Sequence, residues 1–460
     1  MNHHRSFSLS LQKEMEKRNL SMDSEIKKAF KELGIRSLLH RSGITKTKGY
    51  PTINLLYLTV LLPFIKRYLS SLWLDHGFFK HVEAQKDTYY RFLNHERFNW
   101  RKFIYFLALR VIARCDEVPL RQKTLIADDT LEPKTGQNIE LVSYHFDHKT
   151  RRSVLGNQCL QLAYHNGIHS FPVDVAFHTS QNRPNDRIRN IDKRTNGWRR
   201  RMETFRKKTD VLIEMLTRTW NFGIDASFVL FDSWFSHDRI ISQILKIGYG
   251  VICRLKTGRV KYRYQAQEYT LKQLWHQVAK KKTEWLSQFK VKAVCINVTL
   301  PLSGDVRILF VSDGKKQWQA FLSTDLELDP SEILNYYARR WAIEIFFKDA
   351  KQMLYLGKEQ SETFDAVIAC YSIVMMRYLL LVYILHKYQM AGSIGPLFRD
   401  LTESHLKLYL VEKIWAYVKE LMITSSQLFW PEMEPDKFLH LIDIVEDAIL
   451  YQVQISTAKL

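Results

Sequence analysis

Acidic residues are in short supply in this 460-residue chain: 48 Asp and Glu stand against 68 Lys and Arg, for a formal charge of +20. That imbalance points to a polyanionic partner, with nucleic acid ahead of a membrane surface. Cysteine is scarce too. Cys115, Cys159, Cys253, Cys295 and Cys370 lie tens of residues apart, with neither a CxxC pair for zinc nor the dense framework of a secreted scaffold, so they read as reduced and structural. There is no glycine-rich phosphate loop, no GxSxG elbow, no internal repeat and no low-complexity tract, which removes P-loop, serine-hydrolase and solenoid readings. The sixteen histidines show no metal-ligand spacing and read as surface or core residues.

Long apolar runs are missing as well, with one exception at Ala366 to Leu385. Arg377 sits near its middle, where a charge costs about 2.5 to 3.5 kcal/mol on insertion scales, so a buried core helix is expected and no membrane partner. The first eighteen residues have no uninterrupted apolar core followed by a small-residue cleavage site, which argues against an export signal and makes the cytoplasm, with nucleoid association, the expected location.

What is present is enough apolar residue to fold, 46%, over a length that predicts two to four structural units. Residues 1–115 read as a helical DNA-binding region, with fourteen Lys or Arg against six acids in the first eighty. After Pro119 strands dominate. KTLIAD (123–128) is a short apolar run ending in an acid, and SVLGNQCLQLAYHNGIHSFPVDVAF is a hairpin turning at His165-Asn166-Gly167. Between 183 and 208 stand eleven Lys or Arg and three acids, a density that in isolation calls for DNA phosphate as the neutralising partner. ASFVLFD (226–232) reads as a buried strand, HDRIISQILKIG as a helix closed by Gly248, and YGVICRL as another strand. Residues 256–329 read as a β-rich insertion and 330–390 as a helical segment opened by Pro330-Ser331-Glu332. Residues 391–460, with six basic residues against ten acids, read as a helical C-terminal region suited to oligomerisation.

The most informative stretch is YYARRWAIEIFFKDAK, 336–351. Read as one helix, it places Tyr337, Arg340, Glu344 and Lys351 in a stripe about 60° wide at roughly 100° per residue, with Ala338, Ala342, Ile345 and Phe346 turned toward a core. A phenol, a guanidinium, a carboxylate and an ammonium in one line suit a phosphodiester. Acids at the ends of two strands of a mixed sheet, Asp128 or Asp129 and Asp232, can sit side by side, and the helix can bring Glu344 to the same edge. Such a cluster repels itself, and two Mg²⁺ or Mn²⁺ ions are the natural compensation, supporting in-line phosphoryl transfer without a covalent protein nucleophile.

These motifs, Asp128-Asp129-Thr130 as D-x-T, FVLFDSWFS around Asp232, and Y-x2-R-x3-E-x6-K at Tyr337, Arg340, Glu344 and Lys351, resemble bacterial insertion-sequence transposases of the DDE class, in the group named after insertion sequence four. The resemblance spans roughly 120 to 355. It implies an α/β fold: a ribonuclease-H-like mixed sheet with helices (116–255 and 330–390), interrupted by an antiparallel β insertion (256–329); the helical N- and C-terminal regions that complete the expected fold carry no motif of the family. It further implies that Asp128, Asp232 and Glu344 hold two metal ions, that Tyr337, Arg340 and Lys351 contact phosphates, and that transposon ends and target are double-stranded DNA bound by a homodimer in a synaptic complex. A hairpin intermediate with an insertion aromatic receiving a flipped base is implied too, and Trp318 is the candidate by position. Arg199, Arg200 and Arg201 are expected to contact DNA.

Each residue also has a plainer reading. The strand-end aspartates are favoured turn residues, Asp232 with Ser233 fits a helix cap, and Glu344 fits an i, i+4 ion pair with Arg340 or Lys348. D-x-T favours Asp128 over Asp129. The competing functions are a structure-specific nuclease of the same fold and a catalytically silent, domesticated DNA-binding protein.

Overall fold

Local sequence sets most of the elements. Asp329 caps the helix Pro330–Ala338 by accepting the backbone N–H of Glu332 at 2.9 Å, while the Glu332 carboxylate accepts the N–H of Asp329. Gly248, at φ 115°, closes the helix Asp238–Ile247 in the left-handed region. Asn166 accepts the N–H groups of Ile168 and His169 to form the expected turn. The computed structural model describes residues 22–72, 84–116, 118–147, 150–314, 317–390, 392–403 and a few isolated positions beyond. The acidic region expected to oligomerise lies, past residue 403, outside the described residues.

The chain divides into two compact units, Met1–Cys115 with Asp349–Leu460, and Asp116–Lys348. In the first, the helices Met22–Glu32, Ile35–Arg41, Thr52–Leu61, Lys86–Leu93 and Trp100–Cys115 pack with the 24-residue helix Phe364–Lys387. That long helix therefore groups with the N-terminal helices, and the segment expected as one piece at 330–390 is divided. Its most apolar window is 94% buried. Arg377 is tolerated there because its guanidinium donates to the carbonyls of Leu354 (2.8 Å), Val60 (3.1 Å) and Thr59. Thr59 and Val60 end a helix whose last carbonyls lack intrahelical partners and whose dipole favours a cation.

The second unit is built on one sheet. Its strands are β1 (Thr124–Pro133), β2 (Ser143–Asp147), β3 (Arg152–His165), β4 (Ser170–His178), β5 (Phe228–Phe231), β6 (Gly250–Leu255), β7 (Lys261–Tyr264), β8 (Gln267–Thr270), β9 (Glu284–Leu286), β10 (Val291–Leu300), β11 (Gly304–Ser312) and β12 (Trp318–Ser323). Their order is β2-β3-β1-β5-β6-β12-β11-β10-β7-β8, with β4 also on β3 and β9 on β10. β1, β5 and β6 run parallel and β3 runs antiparallel to β1, a ribonuclease-H-like mixed sheet with helices. All four residues of β5 are buried, the continuous apolar pattern of a central parallel strand. The β insertion extends this same sheet, because β12 pairs antiparallel with β6. Asp238 fastens the insertion's β10–β11 turn by accepting the N–H groups of Leu302 and Ser303 at 2.9 and 3.0 Å.

Candidate active site at the ends of the parallel strands

Register brings the first two acids together. β1 and β5 pair at Thr124↔Phe228, Leu125↔Val229 and Ile126↔Leu230, and Asp128 and Asp232 each lie two residues beyond the last pair. Two residues restore the same face of a pleated strand, and neighbouring strands are about 4.8 Å apart, so the two positions sit side by side at one sheet edge. Asp129, one residue on, takes the alternate direction. Its carboxylate accepts from Gln158 Nε2 at 2.9 Å and is ion-paired with Lys208, so of the D-x-T pair Asp128 is the acid left facing Arg340.

Asp128 is under electrostatic pressure. Burial pushes its carboxyl up to about 7; Arg340 pulls in the other direction, and the carboxylates of Asp129 and Asp232 add to the rise. Arg340 Nη1 donates to Asp128 Oδ2 at 2.7 Å and Arg340 Nη2 to Glu344 Oε1 at 2.5 Å. Glu344 thus faces Asp128 across one guanidinium. The i, i+4 ion pair and the site geometry are the same contact, and likewise Asp232 accepts the backbone N–H of Trp234 at 2.9 Å, a local turn bond.

The segment carrying Arg340 and Glu344 departs from the single helix expected. It is two helices, Pro330–Ala338 and Trp341–Gln352, with a break at Arg339-Arg340 crossed by i→i−3 bonds from Ala342 to Arg339 (2.9 Å) and from Ile343 to Arg340 (3.2 Å). Within the second helix Ile345 lies about 200° round from Ile343, so the two cannot share one buried face. Ile343, Phe346, Phe347 and Ala350 are buried at i, i+3, i+4 and i+7, whereas Ile345, expected in the core, is 41% exposed and Ala338 is exposed. Tyr337 is half-buried with its ring 4.8 Å from that of Phe321, and burial pushes its phenol up to about 12, so it stays a neutral hydrogen-bond donor near Arg340. Lys351 is half-buried in the last turn of the second helix, beyond the boundary of this unit.

The basic run behaves differently from its composition. Arg183, Arg194, Arg200, Arg201, Arg206 and Lys208 are ion-paired within the protein to Asp186, Asp192, Glu203, Glu140, Glu214 and Asp129. Arg201 is fully buried, its Nε and Nη2 bidentate to Glu140 at 2.6 and 2.7 Å, and Arg200 is 8% exposed. The expectation that Arg199, Arg200 and Arg201 together face DNA is therefore corrected: only Arg199 is exposed, because helix Asn196–Thr204 turns the other two inward. Trp318 is half-buried in the insertion and stacks on Trp275 at 5.4 Å and 20°.

No sequence pattern singles out Lys208 or Gln158, which meet at Asp129 beside the site. Lys208 was one of eleven charges, and its partner lies 79 residues upstream, which no local pattern reveals.

Among the described residues no three His, Cys, Asp or Glu side chains are grouped closely enough to hold a metal ion together. The donor set still fits a hard divalent cation. Asp128 and Asp232 place hard carboxylate donors at neighbouring positions of the sheet, and Glu344 lies one guanidinium from Asp128.

Residues 71–281, which include Asp128 and Asp232, match the family model described as DDE superfamily endonuclease, and residues 193–380, which include Asp232 and Glu344, match the one described as Transposase DDE domain. No curated protein matches the chain. The two matches support a DDE transposase, a nuclease-type enzyme that acts on DNA.

Proposed function

We propose that the protein is a transposase of the insertion-sequence-four group, with the Tyr337-Arg340-Glu344-Lys351 signature, that cuts double-stranded transposon ends and joins the 3′-hydroxyls to target DNA. The observation carrying this reading is the in-register pair Asp128 and Asp232, with Arg340 joining Asp128 to Glu344. Asp128, Asp232 and Glu344 would hold two Mg²⁺ or Mn²⁺ ions. When bound, such ions activate the attacking oxygen and stabilise the leaving one.

The side chains divide the remaining work. Arg340, already a bridge between two acids, turns to a phosphate oxygen when DNA arrives and releases both carboxylates. The neutral phenol of Tyr337 donates a hydrogen bond to the same backbone, and Lys351 contributes a point charge. Trp318 offers a stacking face for a flipped base in a hairpin step, provided it leaves Trp275. A homodimer in the cytoplasm, acting on nucleoid DNA, pairs the two ends.

Asp128→Ala, Asp232→Ala and Glu344→Ala should each abolish strand cleavage while leaving DNA affinity intact, and full nicking by any one of them contradicts the assignment. The match described as an endonuclease favours one second reading, a nuclease that cuts without joining. Pre-cut ends bearing 3′-hydroxyls separate the two, since only a transposase joins them to a target. A protein that binds DNA but takes up no Mn²⁺ would be the silent, domesticated form.

A further inference from the structure

We propose that Lys208 is a positioning residue that ties β1 beside Asp128 to the Asp232 loop and so holds the two carboxylates at a fixed spacing. The inference rests on the metal-binding role proposed above for that pair.

Lys208 opens the helix Lys208–Asn221, and its side chain is 13% exposed, turned into the protein. Its ammonium lies near His145 and His178 and engages two further groups from different elements. One is the carboxylate of Asp129 on β1, to which it is ion-paired. The other is the indole of Trp234, in the loop after β5, with Nζ 4.3 Å from the ring centroid.

Each neighbour is one covalent or hydrogen-bonded step from an aspartate of the site. Asp129 follows Asp128 directly, and its N–H donates to Asp128 Oδ1 at 2.9 Å. Gln158 on β3 donates to the same Asp129 oxygen, Oδ2, that Lys208 engages. With Asp129 clamped on the far face, strand alternation fixes the direction of Asp128. The backbone N–H of Trp234 donates to Asp232 Oδ1 at 2.9 Å, so the contact of its half-exposed indole with Lys208 steadies that loop and the carboxylate it carries. The β1–β5 ladder ends two residues short of both acids; β3 still pairs with β1 at Asp128 and beyond, so β1 itself is held, but no ladder bond joins it to the Asp232 loop. Lys208 closes that gap.

The plainer reading makes Lys208 one more phosphate-binding lysine of the basic run. Its burial and its engagement with Asp129 oppose that. Removing the ammonium also leaves Asp129 without its counter-charge beside two other acids.

The test uses the full-length protein without DNA, titrated with Mn²⁺ and followed by electron paramagnetic resonance, alongside DNA binding by anisotropy. Outer-shell partners of metal ligands typically change metal affinity about 10- to 100-fold. Lys208→Met should weaken Mn²⁺ binding by that factor with DNA affinity and its salt slope unchanged, and Lys208→Arg should restore most of it. Trp234→Leu, which removes the other half of the tie and leaves the ion pair, should also weaken Mn²⁺ binding and carries the test should Lys208→Met fail to fold. Wild-type Mn²⁺ affinity in either folded variant overturns the proposal, as does a loss of DNA affinity with metal binding intact. If the wild-type protein itself takes up no Mn²⁺, the metal reading of the site fails and the role of Lys208 falls with it, an outcome distinct from variants that bind like wild type.

Discussion

Arg340 and Asp128 share a 2.7 Å ion pair, and the second arm of the same guanidinium holds Glu344. One cation therefore lies where two proposed metal ligands would need their oxygens free. A charge pair at this range is worth about 4 kcal/mol at an effective dielectric of 20, and releasing a third of that raises an affinity about tenfold. Arg340→Gln should increase the Mn²⁺ affinity of the DNA-free protein by about that factor while lowering cleavage, because the phosphate contact is lost. Calorimetric titration checks the first effect; an unchanged affinity means the guanidinium does not compete with metal.

The arginines of the run 199–201 should separate by what they touch. Breaking a buried ion pair from one side costs about 3 to 5 kcal/mol, so Arg201→Ala, which strands Glu140, should lower the unfolding midpoint in denaturant sharply. Arg199→Ala should leave stability within about 0.5 kcal/mol. If Arg199 meets phosphate, its removal weakens binding to all sequences and reduces the salt slope by about 1. A stable Arg201→Ala protein with a flattened slope would reverse these roles.

Acid should destabilise the protein through two buried histidines. Burial pushes His145 and His165 down to about 4, with His178 beside the first and Arg339 beside the second adding to the fall. In the unfolded chain each titrates near 6.5. Between those values the unfolded state binds protons that the folded state refuses, so stability is full above about 6.5 and is lost as pH falls toward 4, by about 3 kcal/mol per histidine. His165 Nδ1 accepts the N–H of Gly167 at 2.9 Å, a bond the protonated ring cannot make. His165→Gln should flatten the fall in melting temperature between pH 6.5 and 4; a curve identical to wild type would show that His165 titrates normally.

The interrupted helix around Arg340 should matter for where that side chain points. Forcing continuity through Arg339→Ala removes a guanidinium that donates to the Gln122 carbonyl, and it favours regular helix across the break. Cleavage should fall more than DNA affinity, as measured by turnover on a pre-bound substrate, because Arg340 would leave its place between the two acids. Equal losses of both would mean the break serves binding alone.

Several elements were legible in the chain because their causes are local. The capping box at Asp329 and Glu332, the glycine stop at 248, the turn at Asn166 and the apolar run ending at Asp232 each depend on residues within a few positions of one another. The buried reading of the helix around Arg377 followed from a charge too costly for lipid. Tertiary structure alone decided which aspartate of the D-x-T pair faces Arg340, because that depends on the β1–β5 register and on Lys208 claiming Asp129. It also decided the fate of the basic run. Composition counts eleven charges, but Glu140 and Asp129, 61 and 79 residues from Arg201 and Lys208, neutralise two of them only after the sheet has formed. Charge is a property of the sequence; which charge remains available to a ligand is a property of packing, since an ion pair needs both partners within a few ångströms and the chain order places no such limit.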